Sequence, residues 1–110
     1  MSDGTKLWLD DLRPAPAGWV WVKSAWDAID ALRAGGVVEI SLDHDLAGPE
    51  DGTGYDVVEW IAAEAFHGRL APLRWATHTA NPLGAERMEL QLERAERSWA
   101  RHRSEGEQPS

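Results

Sequence analysis

The chain contains no cysteine, and this absence excludes disulfide bonds, thiolate catalysis and thiolate metal ligation. Long apolar runs are also missing, because no stretch approaches the ~18 residues that a membrane span requires. The first residues lack the charged and then apolar pattern of a signal peptide. From these absences we expect a soluble cytoplasmic protein without a membrane partner.

Basic side chains are scarce. The chain has 11 Lys and Arg residues against 19 Asp and Glu residues, so its formal net charge is −8. Binding to duplex DNA draws its strength from basic side chains that neutralise phosphates, so this balance argues against duplex DNA and anionic membranes as partners. A phosphorylated substrate is compatible with the charge if a local cationic group or a carboxylate-bound metal holds the phosphate.

The composition that remains is typical of a globular domain, because 43% of the 110 residues are hydrophobic and seven are Trp. A chain of this length builds one core and no second one. We predict one domain over residues 1–103, followed by a polar, frayed tail over residues 104–110. No feature of the sequence indicates an oligomeric state.

Along the chain, short apolar runs alternate with longer segments whose apolar residues recur at helical spacing. The apolar runs predict four strands, within residues 6–11, 19–22, 37–42 and 73–77. Capping residues and apolar spacing predict three helices, from Ser24 to Gly35, from Thr53 to Gly68, and from the cap Asn81 to about Arg103. This alternation is typical of an α/β fold with a mostly parallel sheet.

The connection between the first two strands does not determine whether the second strand is parallel or antiparallel to the first. Residues 12–18 are rich in Pro and cannot form a regular helix. The segment is also short for a parallel crossover, which normally takes a dozen or more residues. Either an irregular extended crossover replaces the helix, or the second strand runs antiparallel at the edge of the sheet.

Polar side chains follow three of the predicted strands. Asp10 and Asp11 end the first strand, residues 43–45 follow the third, and residues 78–81 follow the fourth. In open parallel sheets, ligands bind beyond the carboxyl ends of the strands. The sequence therefore predicts a functional site at this edge.

The three carboxylates Asp10, Asp11 and Asp43 would repel one another unless a cation neutralises them. Hard oxygen ligands of this kind suit Mg²⁺, which takes one or two carboxylates together with waters and a substrate phosphate. The alternative is that one Asp caps the following segment while the others face water.

Two histidines lie at the same predicted edge. His44 and His78 titrate near neutral pH, so one could act as a base and the other as an acid around a phosphodiester. Asp45 could orient one of them. Alternatively, each ring is a buried histidine bonded to a backbone carbonyl, or a metal ligand.

Three further residues could contact a phosphate. Arg13 either clamps a phosphate or pairs with Asp11 at the surface. Thr79 could donate its hydroxyl to a phosphoryl oxygen. Asn81 is expected to cap the last helix and could also bind the ligand.

The last predicted helix is rich in arginine, and glutamates are interleaved with these residues. A solvated, ion-paired face explains the pattern adequately. Its arginines are Arg87, Arg94, Arg97, Arg101 and Arg103.

Four motifs resemble one known family. LDDLRPAP at 9–16, SLDHDL at 41–46, TGYD at 53–56 and HTANP at 78–82 are similar to those of the cyclic-phosphate processing receiver-domain family, an offshoot of response-regulator receiver domains. The resemblance implies a small, flavodoxin-like three-layer α/β fold. Its mostly parallel sheet is reduced to about four strands, and a long C-terminal helix follows.

The resemblance also implies roles for the residues at the predicted edge. Asp10, Asp11 and Asp43 match the metal-binding pocket of receivers, where Asp43 takes the phosphoacceptor position. The polar positions that mark the offshoot are matched by Arg13, His44, Asp45, His78 and Asn81. Thr79 stands where the family's pattern has Ser, so a hydroxyl is retained.

We therefore predict a phosphoesterase assisted by a divalent metal, most simply Mg²⁺, that acts on a cyclic nucleotide or on an RNA 2′,3′-cyclic phosphate end. The alternative is a receiver-like signalling or binding module without enzymatic activity that accepts a phosphoryl group at Asp43. No fifth strand with the switch lysine of receivers follows the fourth, since both lysines, Lys6 and Lys23, lie early in the chain. This departure argues against an ordinary phosphorelay role.

Overall fold

The order of the elements follows the predicted alternation of strands and helices. The structure is a computed structural model that describes residues 4–46 and 48–106. The strands are β1 (Thr5–Leu9), β2 (Val20–Val22), β3 (Val37–Leu42) and β4 (Arg74–Thr77). The helices are α1 (Ala25–Ala34), α2 (Gly54–Phe66) and α3 (Pro82–Gly106), with a 3-10 turn at Pro49–Asp51 before α2.

All described strands are parallel in one sheet of order β2-β1-β3-β4. The direction of β2, which the sequence left open, is therefore parallel, and the irregular segment 12–18 is the crossover. Two tryptophans hold this segment. Trp21 Nε1 donates to the Asp10 carbonyl at 2.7 Å, and Trp8 Nε1 donates to the Arg13 carbonyl at 2.9 Å.

The core lies between the sheet and the helices. Leu7 and Leu9 of β1 and Ile40 and Leu42 of β3 are fully buried. They form one cluster with the apolar faces of all three helices, Met88 and Leu92 of α3 among them. The helices also pack side by side, α1 on α2 and α2 on α3.

The opposite face of the sheet is more open. Residues that alternate with the core positions point to this face, where Lys6, Arg74 and Ala76 are exposed. Because the first crossover contains no helix, the described residues form no second helical layer on this side. The receiver-like α/β class, the four parallel strands and the long C-terminal helix are confirmed. The three layers that the resemblance implies are reduced, over the described residues, to the sheet and one helical layer.

Side-chain caps begin the helices where the sequence predicts them. Ser24 Oγ accepts from the Asp27 N–H at 3.1 Å, and Asp56 Oδ2 accepts from the Thr53 N–H at 2.8 Å. Asn81 Oδ1 accepts from the Gly84 N–H at 3.0 Å and caps α3.

The C-terminal helix extends further than predicted. Residues 104–106, which were assigned to the frayed tail, continue α3, while residues 107–110 lie outside the described part of the chain. Among the described residues, no helix combines the length and apolar character needed to cross a membrane.

Candidate functional site

The carboxyl ends of β1, β3 and β4 bring the predicted site residues to one edge of the sheet. Backbone bonds continue the strand pairing past the ends of the strands. The Asp43 N–H donates to the Leu9 carbonyl at 2.9 Å, and the His78 N–H donates to the Leu42 carbonyl at 2.9 Å. Segments that are distant in the sequence therefore lie side by side directly after their strands.

Asp10, Asp11 and Asp43 form a carboxylate cluster. One oxygen from each lies within 4.8 Å of the others. Asp10 is buried, whereas Asp11 and Asp43 are half-buried and can reach a ligand from the solvent side. This arrangement of oxygen donors fits a divalent cation such as Mg²⁺, which would also relieve the repulsion among the three charges.

Asp10 is held in place by its surroundings. Its Oδ1 accepts from the N–H groups of Leu12 and Arg13, both at 2.8 Å, and its Oδ2 lies 3.0 Å from His78 Nε2. Burial opposes ionisation of this carboxyl, but the two N–H groups and the His78 ring outweigh it and lower the pKa of Asp10. Asp10 is therefore negatively charged at neutral pH and suited to a cation.

His78 is engaged through both ring nitrogens. A carboxylate only accepts hydrogen bonds, so Nε2 carries the proton that is shared with Asp10. His78 Nδ1 then accepts from Ser41 Oγ, 2.8 Å away. The ring also stacks on Trp8, with centroids 3.9 Å apart and planes 6° from parallel. The result is a Ser41–His78–Asp10 chain that ends at the carboxylate cluster.

Ser41 was not among the predicted site residues. It is 6% exposed and sits in the middle of the otherwise apolar run at the end of β3. The sequence predicted a strand over this run, and strand alternation places Ser41 on the face opposite Ile40 and Leu42. A hydroxyl at a buried position of a strand is the signal that could have identified it.

His44 has a different environment from His78. Its backbone N–H donates to Asp43 Oδ1 at 2.9 Å, and its Nδ1 lies 2.9 Å from Asp45 Oδ1. Because Asp45 only accepts, Nδ1 carries the proton and the lone pair is on Nε2. In the described part of the chain, no protein group is bonded to this Nε2. Its lone pair is therefore available to a ligand.

Asp45 is shared between His44 and Asn81. Asn81 Nδ2 donates to Asp45 Oδ2 at 3.4 Å. The hydrogen bond from His44 has the largest effect and lowers the pKa of Asp45. Burial opposes it with the next largest effect, and the bond from Asn81 lowers the pKa further. Asp45 is therefore an ionised carboxylate bonded to Nδ1 of His44, and this bond fixes the orientation of the imidazole ring.

The predicted phosphate-binding residues lie around β4 and the turn before α3. Arg13 Nη1 donates to the His78 carbonyl at 3.2 Å, so this side chain reaches the end of β4 instead of pairing with Asp11. Thr79 Oγ1 accepts from the Asn81 N–H at 3.2 Å, and Asn81 is the cap of α3. The roles of these three residues toward phosphate remain predictions.

Two glycines let the surrounding backbone approach the site. A Cβ at Gly54 would overlap the carbonyl oxygen of Asp43, so only glycine allows α2 to begin against the end of β3. A Cβ at Gly84 would lie 2.6 Å from the His44 ring. The sequence contains both glycines, but their need for close approach emerges only from the tertiary contacts.

Comparison with known proteins agrees with this architecture. The curated proteins and the solved structures give no significant match. The family model described as the cyclic-phosphate processing receiver domain matches residues 5–94. This range includes β1 to β4, His44 and His78, and the three carboxylates. The chain therefore belongs to the cyclic-phosphate processing receiver-domain family.

Proposed function

We propose that the protein is a metal-assisted phosphoesterase that opens a cyclic phosphate, on a cyclic nucleotide or on an RNA 2′,3′-cyclic end. The observation that carries this proposal is the placement of the His44–Asp45 pair directly after Asp43 of the carboxylate cluster. The residue that offers a base with a free lone pair thereby follows, in the chain, one of three carboxylates whose oxygens are suited to a cation. A general base and a bound cation each assist hydrolysis of a phosphate ester.

The proposed metal ligands are Asp10, Asp11 and Asp43. When bound, a divalent ion supplies positive charge that stabilises the negative charge developing on the phosphoryl oxygens. Asp10 contributes a carboxylate whose orientation is already set by Leu12, Arg13 and His78, so little reorganisation accompanies binding.

His44 is proposed as the general base. Its Nε2 removes a proton from water, and the resulting hydroxide attacks phosphorus. The bond from phosphorus to one ring oxygen breaks, that oxygen takes a proton from solvent, and the product is a phosphomonoester. The His44 imidazolium then returns its proton to solvent. Asp45 stabilises the imidazolium that forms and holds Nδ1 in the required tautomer.

Arg13 and the turn before α3 are proposed to contact the phosphate. Arg13 presents a guanidinium group at the end of β4, where it can donate to phosphoryl oxygens. Thr79 and Asn81 lie on the same side and offer a hydroxyl and an amide.

His78 is the second member of the predicted acid and base pair. To protonate the leaving oxygen, its Nε2–H would have to leave Asp10. We therefore assign to His78 first the positioning of Asp10, and the role of acid becomes the alternative that experiment distinguishes.

Turnover of a 2′,3′-cyclic mononucleotide in Mg²⁺ tests the proposal. We expect His44→Ala to lower kcat by about 10²-fold or more, because general-base catalysis contributes about 10²–10⁴-fold. His67→Ala is the matched control, since His67 is exposed at the end of α2. Chelation of divalent ions should abolish turnover.

His78→Ala then separates the two roles of that residue. A positioning role predicts weaker Mg²⁺ activation that higher Mg²⁺ concentrations restore, whereas an acid role predicts a loss of kcat that excess metal leaves unchanged. Equal turnover by wild type and His44→Ala would contradict the proposed mechanism.

The receiver-like alternative has one supporting observation, the proximity of Asp43 to Asp10 and Asp11. Incubation with a small phosphodonor and Mg²⁺, followed by intact-mass measurement, tests it. A stable adduct that Asp43→Asn abolishes, together with no turnover of cyclic phosphates, would favour the signalling module over the enzyme.

A further inference from the structure

A groove between α2 and α3 carries a concentration of positive charge. Its volume is about 640 Å³. We define the arginine groove by its lining residues, which are His44, Thr53, Tyr55, Arg87, Leu90, Gln91, Arg94 and Arg97. Three of these are arginines and none is acidic, although the whole chain has 19 acidic residues and a net charge of −8. The groove is therefore positively charged on a molecule whose net charge is negative.

The arginines of the groove lack the ion pairs expected from the sequence. Among the described residues, no carboxylate lies within 4.0 Å of Arg87, Arg94 or Arg97. The expectation of an ion-paired face on this helix is therefore wrong, since within the described residues Arg101 and Arg103 have no carboxylate within 4.0 Å either. The charges of the three groove arginines are available to a ligand.

Two of the glutamates of α3 contribute to this separation of charge. Glu89 accepts from the Thr77 hydroxyl at 3.1 Å, and Glu96 accepts from Trp75 Nε1 at 3.1 Å. Both carboxylates therefore turn toward β4, away from the side of α3 that faces the groove.

The length of the arginine row indicates the size of the ligand. Ten residues separate Arg87 from Arg97, which is about 15 Å along an α-helix. Three unpaired guanidinium groups over this distance suit a ligand with several phosphates in series. A neighbouring cavity of about 350 Å³ shares Gln91 and Arg94 but also contains Glu59, so it extends the groove along α2 without adding positive charge.

The groove is connected to the proposed catalytic site through His44, which lines the groove and adjoins Asp43. Tyr55 adds an aromatic ring whose hydroxyl accepts from Gln91 Nε2 at 3.0 Å. Aromatic rings beside basic side chains are the usual means of binding single-stranded nucleic acid, because bases stack on the ring while cations neutralise phosphates.

We propose that the arginine groove binds the phosphodiester backbone of a single-stranded oligonucleotide whose terminal cyclic phosphate lies at the carboxylate cluster. The position of the cyclic end rests on the proposed function, whereas binding in the groove does not. The groove thereby distinguishes an oligonucleotide end from a free cyclic mononucleotide.

The test uses a labelled ten-nucleotide RNA that ends in a 3′-hydroxyl, because this probe does not require cyclic-phosphate chemistry. Its Kd is measured by fluorescence anisotropy at several salt concentrations. The groove variant combines Arg87→Gln, Arg94→Gln and Arg97→Gln. The matched control combines Arg33→Gln, Arg74→Gln and Arg103→Gln, which removes the same total charge from outside the groove.

We expect the groove variant to weaken binding by about tenfold or more and the control to change it by less than about twofold. The slope of log K against log salt should fall by about 2 in the groove variant, since each phosphate contact on a single strand contributes about 0.7. Thermal unfolding of both variants verifies that they are folded.

Three outcomes would overturn the proposal: equal weakening in both variants, no weakening in the groove variant, or equally tight binding of a poly-glutamate peptide of the same charge. Turnover of a cyclic mononucleotide is measured separately and reports on the proposed function alone. Groove-dependent RNA binding without turnover would therefore support this inference while contradicting the enzyme.

Discussion

At the scale of single residues, the two histidines of the site differ in what their nitrogens contact. His44 is bonded through Nδ1 to Asp45 and has a free Nε2, whereas His78 is bonded at both nitrogens. His44 is therefore a candidate base, whereas His78 links Ser41 to Asp10. The bonding of His78 comes from residues of two other chain segments, whereas that of His44 comes from the next residue in the chain.

The Ser41 hydroxyl is expected to contribute to metal affinity through His78. Ser41→Ala removes the partner of His78 Nδ1, which leaves a nearly buried nitrogen unbonded and costs about 1–2 kcal/mol of stability. Because Asp10 then loses part of its orientation, Mn²⁺ affinity measured by calorimetry should fall by about tenfold.

Ser98→Ala is the matched control for that experiment. Ser98 has similar burial, 7% against 6% exposed, but lies on α3 away from the carboxylates. Identical Mn²⁺ affinities in the two variants would show that the Ser41–His78–Asp10 chain has no influence on the cluster.

At the scale of elements, the end of α2 is stabilised by an ion pair. Arg69 Nε and Nη2 donate to the two carboxylate oxygens of Glu64 at 3.1 and 2.8 Å, and the Arg69 N–H donates to the Glu64 carbonyl at 2.8 Å. Gly68 turns the chain between them with a φ of 70°, a conformation that favours glycine. The helix therefore ends where the predicted stop lies.

This ion pair gives α2 a dependence on pH. The hydrogen bond from Arg69 lowers the pKa of Glu64 below its ordinary value of 4.5. A carboxyl with a lowered pKa stabilises the folded state above its unfolded pKa, and this contribution is lost as pH falls through the folded pKa. We expect Glu64→Gln to lower Tm by about 1 °C at pH 7, because exposed ion pairs contribute little.

The difference in Tm between wild type and Glu64→Gln should shrink as the pH falls below 4.5 and disappear once wild-type Glu64 is protonated, because the pKa of folded Glu64 lies below its ordinary value. Glu59→Gln on the same helix serves as the control, since Glu59 is exposed. A Tm difference that stays unchanged down to the lowest pH at which the protein folds would show that packing, not charge, accounts for the effect of Glu64→Gln.

At the scale of the whole molecule, the parallel sheet concentrates negative charge at one edge. The net charge of −8 adds to the repulsion inside the carboxylate cluster, where one oxygen from each group lies within 4.8 Å of the others. Folding without a cation therefore works against this repulsion, and a bound cation should stabilise the entire domain.

Neutralising one carboxylate should stabilise the metal-free protein. In chelator, Asp11→Asn is expected to raise the free energy of unfolding by about 1 kcal/mol, which is the interaction of two charges about 4 Å apart in water. In Mg²⁺, wild type should gain more stability than Asp11→Asn, so the difference shrinks or reverses.

Glu86→Gln removes the same charge from an exposed position on α3 and controls for net charge. Thermal unfolding with and without Mg²⁺ provides the measurement. If Asp11→Asn and Glu86→Gln have the same Tm in chelator, the cluster carries no special repulsion.

The sequence by itself determined the helix caps, the four strands and the collection of acids and imidazoles after three of them, because caps and strand alternation depend on neighbours in the chain. Only the tertiary structure decided the direction of β2, the bonding of Ser41 and His78, and the orientation of Glu89 and Glu96 toward β4. Those features depend on contacts between different elements, such as the one between Asp10 and His78, which are 68 residues apart. Local sequence patterns predict which residues lie at the edge of the sheet or on a helix. Packing between elements determines which groups each of these residues contacts.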